Sequence, residues 1–370
     1  MRKLIVGALV ILASFCGACA WDYDTLSMEA KGLPTVIDAI VGRISVNPSE
    51  YYKKRIELSL LAIQSNPKDF AAYDNLAVAY DKLGNSEDAF RCLNLKLQAL
   101  KDSGLKPTSD PLNDPWYRYH ANLGTVYAHT WFRKGATQKT DLLDKAVSEL
   151  EKAIAINPKA HFGREVIQIE VIKMVKSLRT TNMVPPTPVL DAWRAIVEKY
   201  GAEATAEGLI GMMALGGGAE SRDMIGLLYF TIGHEDASLQ VLTEMRNTEL
   251  EKSGAPVLFD FPKVYGMPFH EEQLKKQFKA LRENAKAFQA NRTSFIQAKL
   301  KLGLHPDTDP SFWNDYQEVP RIEIGKMEPL SSKLGMPIGD VVILSAIAVF
   351  GIVFSYFLFK WIRHFFKRTT

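Results

Sequence analysis

The sequence predicts an all-α protein, a stack of helix pairs followed by one C-terminal transmembrane helix. Three observations predict it. Through the middle of the chain, apolar residues recur three and four apart, and Leu, Ala and Lys are frequent. A helix–turn–helix pattern beginning near residue 69 returns near residue 118. Finally, residues 341–359, VVILSAIAVFGIVFSYFLF, form a run of 19 residues without a charge.

That last run would make roughly 28 Å of helix at about 1.5 Å per residue, enough for a hydrocarbon core. Asp340 bounds one side, while Lys360, Arg363, Lys367 and Arg368 crowd the other, with Trp361 at the interface. Basic flanks stay cytoplasmic, so the expected topology puts the tail inside and residues 21–340 outside. The N-terminus agrees. Arg2 and Lys3 precede a short apolar stretch at 4–13, and Ala18-Cys19-Ala20 reads as a small-residue cleavage site. Trp21 would then be the new N-terminus. A lipid-modified Cys19 is the rival, but Cys16 stands where a Leu-like residue is usual.

Charge fits this layout. The 370 residues carry a formal +3, but six of the 45 basic side chains sit at the two ends. Residues 21–340 keep 39 basic against 42 acidic groups, so no nucleic-acid partner is expected. Of the three cysteines only Cys92 lies beyond the leader, which precludes an internal disulfide and suits a small buried hydrophobe.

The repeated pattern is specific in places. In DFAAYDNLAVAYDKLGNSEDAF, from Asp69, residues Tyr73, Leu76, Ala77 and Tyr80 share a helix face. Gly84 ends that helix, and Ala89 supplies a small side chain where a second helix must approach. The second copy has Asn122, Leu123, Gly124 and Tyr127, then Ala146, Leu150, Ala153 and Pro158 in KAVSELEKAIAINP. This resembles the tetratricopeptide repeat, a helix–turn–helix unit of 34 residues. Two departures stand out. Lys96 occupies a place where a small residue is usual, and FRKGATQKTD lengthens the second turn. A third, degenerate copy starts near His161.

The resemblance implies a right-handed superhelix whose first helices line a protein-binding groove. Its lining positions fall on Ala71, Asp74, Val78 and Asp81, then Arg118, Ala121, Thr125 and Ala128, then Phe162, Glu165, Ile169 and Ile172. Asp74, Val78, Asp81, Arg118, Thr125, Phe162 and Glu165 are thus the candidate partner-binding residues.

The expected layout is a signal peptide at 1–20, an N-terminal segment at 21–48, repeats at 49–180 and divergent helices at 188–250. A long amphipathic helix at 270–303 follows, then a stalk at 304–339, the transmembrane helix at 340–362 and a basic tail at 363–370. The long helix would cap the stack or pair with a partner helix.

Little chemistry is legible. Asp307, Asp309, Ser311, Asp315 and Glu318 have calcium-loop spacing, but Phe312 replaces the required glycine. His270-Glu271-Glu272 lacks the second histidine of a zinc helix, and Gly216-Gly217-Gly218 lacks the lysine of a phosphate loop. No catalytic residue, cofactor or metal is assigned. The expectation is an interaction scaffold tethered to the membrane by its C-terminal helix, with protein partners. A bacterial inner membrane facing the periplasm is the default setting, since no disulfide framework exists. Two alternatives stay open: an enzyme with its site in 188–337, and a single-pass subunit of a larger membrane complex.

Overall fold

In a computed structural model, the described residues span 21–322 apart from 23, 26–32, 109–113, 136–138, 159–163, 182–186, 217–220, 233–236 and 256–270. Residues 1–20, expected to be a leader, and the apolar run at 341–359 lie outside them. Among the described residues every regular element is helical, and no helix is long and apolar enough to cross a membrane. Residues 21–235 and 239–322 belong to one compact unit; of a second unit, 236–238 and 325 onward, only the start of one helix is described.

The helices are α1 (Val36–Val41), α2 (Ser49–Ser65), α3 (Phe70–Lys82), α4 (Ser86–Ser103), α5 (Pro115–Arg133) and α6 (Asp141–Ile156). They continue as α7 (Arg164–Thr181), α8 (Thr187–Tyr200), α9 (Ala202–Gly216), α10 (Arg222–Ile232), α11 (Ala237–Lys252) and α12 (Glu271–Lys301). Local chemistry sets many boundaries. Asp69, Asn85 and Asp114 cap α3, α4 and α5 by accepting a backbone N–H three residues on, and Pro115 opens α5 where no N–H is needed. Gly84 adopts φ +80, which lets its N–H and that of Asn85 satisfy the last carbonyls of α3.

Successive helices from α3 to α7 run antiparallel. Lys173 and Lys176 on α7 reach Glu151 and Asp144 on α6, one index rising as the other falls. The α5–α6 approach is close. A Cβ on Gly124 would lie 2.8 Å from Leu150 Cγ and 2.9 Å from the Ala146 carbonyl oxygen, so this position takes only glycine without a shift. Ala89, Ala146 and Ala153 are fully buried, as their spacing predicts. Cys92 is buried and unpaired, and burial pushes its thiol up to about 12.

The long helix is placed by its apolar seam. Leu281, Ala285, Phe288 and Ile296 are buried, and α12 packs against α1 and α2 near the start of the chain. Arg43 stacks over Phe288 at 4.3 Å, and Gln289 exchanges hydrogen bonds with the backbone of Val46. A helix late in the sequence therefore covers the first helices. The segment expected to be a stalk is irregular, but residues 304–322 are not free: His305 and Phe312 are fully buried beside Tyr51.

The calcium-loop pattern dissolves in this geometry. Asp307 pairs with Arg55, Asp315 with Lys299 and Glu318 with Arg43, while Asp309 caps its own turn through Ser311. Phe312, at the glycine position, is core.

Candidate functional site

The face expected to bind partners is built by α3 and α5, which lie side by side in parallel. Asn122 Nδ2 donates to Asp74 Oδ1 at 2.8 Å, and His129 Nδ1 meets Asp81 Oδ2; both pairs are 48 residues apart. The same step recurs at the start of α7, where Tyr117 Oη donates to Glu165 Oε1 at 2.7 Å. A constant offset is the signature of helices in one register.

Of the candidate residues, Asp74, Val78, Asp81, Arg118, Thr125 and Glu165 are all buried, and Phe162 lies outside the described residues. Ala71, at the N-terminal end of α3, is exposed. The face is covered in part by the chain's own start. Trp21 is buried against Tyr117 and Ala121, and Arg118 stacks over its ring at 5.0 Å. The Trp21 backbone N–H donates to Asn122 Oδ1, and its carbonyl accepts from Asn122 Nδ2 at 3.2 Å.

Burial makes the polar groups of this face energetically consequential. Lys96, the misfit of the repeat pattern, is fully buried and donates to Asp74 Oδ1 at 2.6 Å. Burial pushes the Asp74 carboxyl up and the Lys96 amine down, and their mutual attraction opposes both shifts. A long side chain stands at this position because it must reach a carboxylate on the neighbouring helix.

Asp81 is the opposite case. Burial alone would raise its carboxyl, but His129 and Arg133, both bonded to it, hold it at about 2. The consequence for stability has a definite sign. A depressed folded value means that the unfolded chain binds the proton first. The stabilisation is therefore complete above the unfolded value of 3.8 and is lost as pH falls towards about 2. Asp81→Asn is expected to flatten the decline between about pH 4 and pH 2 by about 2 kcal/mol, read by denaturant titration at several pH values.

Next to this face lies an ionic hub that the sequence reading missed. Arg55 on α2 is fully buried. Its Nε and Nη2 clasp both oxygens of Asp307 at 2.7 Å, and Nη1 reaches Asp22 at 2.7 Å and Asp24 at 3.0 Å. Tyr51 Oη accepts from Arg55 and donates to Asp24, each at 2.7 Å. Burial raises the Asp22 carboxyl, whereas Asp24, which burial also pushes up, ends below its ordinary value through Arg55 and Tyr51. The only sequence hint was Tyr51, Arg55 and Ser59 at four-residue spacing, a buried stripe whose polar members hide it from apolar periodicity.

Among the described residues no cluster of three or more His, Cys, Asp or Glu is arranged to hold a metal. In comparisons with known proteins, no family model matches this chain, and no characterised protein or solved structure matches it significantly.

Proposed function

We propose that this chain is a protein-interaction scaffold, a right-handed solenoid of tetratricopeptide-like helix pairs held outside the cytoplasm by a C-terminal membrane helix. One observation carries the interaction reading. On the α5 side of the face, the chain already seats one of its own residues, Trp21, through both backbone and side-chain contacts. A face that recognises one strand of chain by its amide groups and one indole ring has the chemistry of a peptide receptor. The open end at Ala71 and the surface beyond it would take the partner protein.

The membrane part of the proposal rests on the sequence: the basic-apolar-small leader, the uncharged 19-residue run and its basic cytoplasmic flank. Protease added to intact spheroplasts is expected to spare only the last ~30 residues, the span plus its tail. A protected bulk domain would contradict it.

A further inference from the structure

The strongest unexplained feature is the polar seat around Trp21. Trp21 is fully buried, yet it sits where the leader motif places the first residue of the mature chain. Its nitrogen is directed at Asn122 Oδ1, and Asn122 in turn holds Asp74 Oδ1 through its Nδ2. The second oxygen, Asp74 Oδ2, is buried and accepts no hydrogen bond among the described residues. A buried carboxylate oxygen without a donor is costly. Asp74 lies on the far side of one amide group from the Trp21 nitrogen.

A chain that continues upstream of residue 21 carries one N–H there, and Asn122 uses it. A chain that starts at residue 21 carries an ammonium with three N–H donors and a positive charge. Two donors would then remain for acceptors, and Asp74, whose Oδ1 serves Lys96 and Asn122, has its Oδ2 left to take one. The surroundings are suited to holding it. Tyr117 meets the Trp21 ring edge-on at a centroid distance of 5.6 Å, and its hydroxyl is fixed by the Glu165 carboxylate. The indole anchors the residue between the Tyr117 ring and the Arg118 guanidinium, and Lys96 shares Asp74 through its other oxygen, Oδ1.

We propose that this seat is a receptor for the α-ammonium group created when the leader is removed, with Asn122 Oδ1 and Asp74 Oδ2 as its acceptors. The reaction is hydrolysis of the Ala20–Trp21 peptide bond: water adds to the Ala20 carbonyl, and the Trp21 nitrogen leaves as the amine and is protonated. Processing thus completes the fold. The new N-terminus locks Trp21 onto α5, and the Asp22 and Asp24 that follow it are presented to Arg55 of α2. This inference rests on the leader reading given under the proposed function.

The test uses the full chain, made with its leader and purified from membranes. Mass spectrometry of the N-terminus comes first, and Trp21 is expected. Any other start overturns the leader reading and the seat with it. Given a Trp21 start, a glycine inserted between Ala20 and Trp21 is expected to lower the melting temperature by about 5 °C. Asp74→Asn and the insertion should be less than additive, because each removes the same contact. Should Asp74→Asn not fold, amine reactivity decides. Reductive methylation of the folded chain should modify the Trp21 amine at least about tenfold more slowly than the glycine amine of the extended chain, since a seated amine reacts only on local opening. A Trp21 start with additive effects or equal amine reactivity would overturn the seat and leave the leader reading intact.

Discussion

Replacing Arg55 with methionine is expected to destabilise the protein by about 3–5 kcal/mol, the cost of leaving buried carboxylates without their cation. Three carboxylates, Asp22, Asp24 and Asp307, share this one guanidinium, and Arg55 itself is fully buried. The loss has a second signature. Asp22 and Asp24 belong to the start of the chain and Asp307 to the segment after α12, so the variant should expose both segments to protease together. Lys54→Met is the control: its neighbour Glu57 is an exposed partner three residues away, and the change should stay within about 0.5 kcal/mol. Denaturant titration with limited proteolysis reads both effects. An Arg55→Met chain with wild-type stability would mean that the two segments are held by their other contacts and not by this hub.

The second large effect concerns Ala146. It is fully buried on the face of α6 that meets α5, where its carbonyl oxygen would lie 2.9 Å from a Cβ placed on Gly124. Ala146→Arg must either bury an unpaired charge or separate the two helices, and is expected to cost roughly 3–5 kcal/mol. Lys145→Ala, one residue earlier on the exposed side of the same helix, should be nearly neutral. Thermal melts of the two variants therefore test the register of α6 as well as its packing. If both melt like the wild type, α6 is rotated relative to this description.

These two residues mark the boundary of what the sequence made legible. Ala146, Ala153, Ala89 and Gly84 could be read because close helix approach and left-handed turns demand particular small residues at particular spacings. Arg55 could not. Its partners lie 33, 31 and 252 residues away, and no local period connects them. The same holds for α1, a helix of six residues held by a Thr35–Asp38 capping box too short to show an apolar repeat. It holds for 304–322, whose proline- and aspartate-rich composition reads as loop yet supplies Asp307, Glu318 and the buried Phe312.

The candidate groove illustrates a further limit. The repeat resemblance named Asp74 and Asp81 of α3 among the lining residues, and both bond across to α5, to Asn122 and His129. It could not show that other parts of the same chain occupy that face. Lys96 is the instructive position, because its departure from the repeat pattern was the one local sign that Asp74 is engaged internally.

The interaction reading is tested most directly at the part of the face that remains open. A photo-crosslinking residue placed at Ala71 of the full chain in living cells should capture a discrete second protein. The same residue at Leu95, 56% exposed on α4, should not. Capture from position 71 alone is the result predicted for a scaffold that works through this face. Equal labelling from both positions, or crosslinks confined to the chain's own residues, would contradict it and leave the helical array as a spacer.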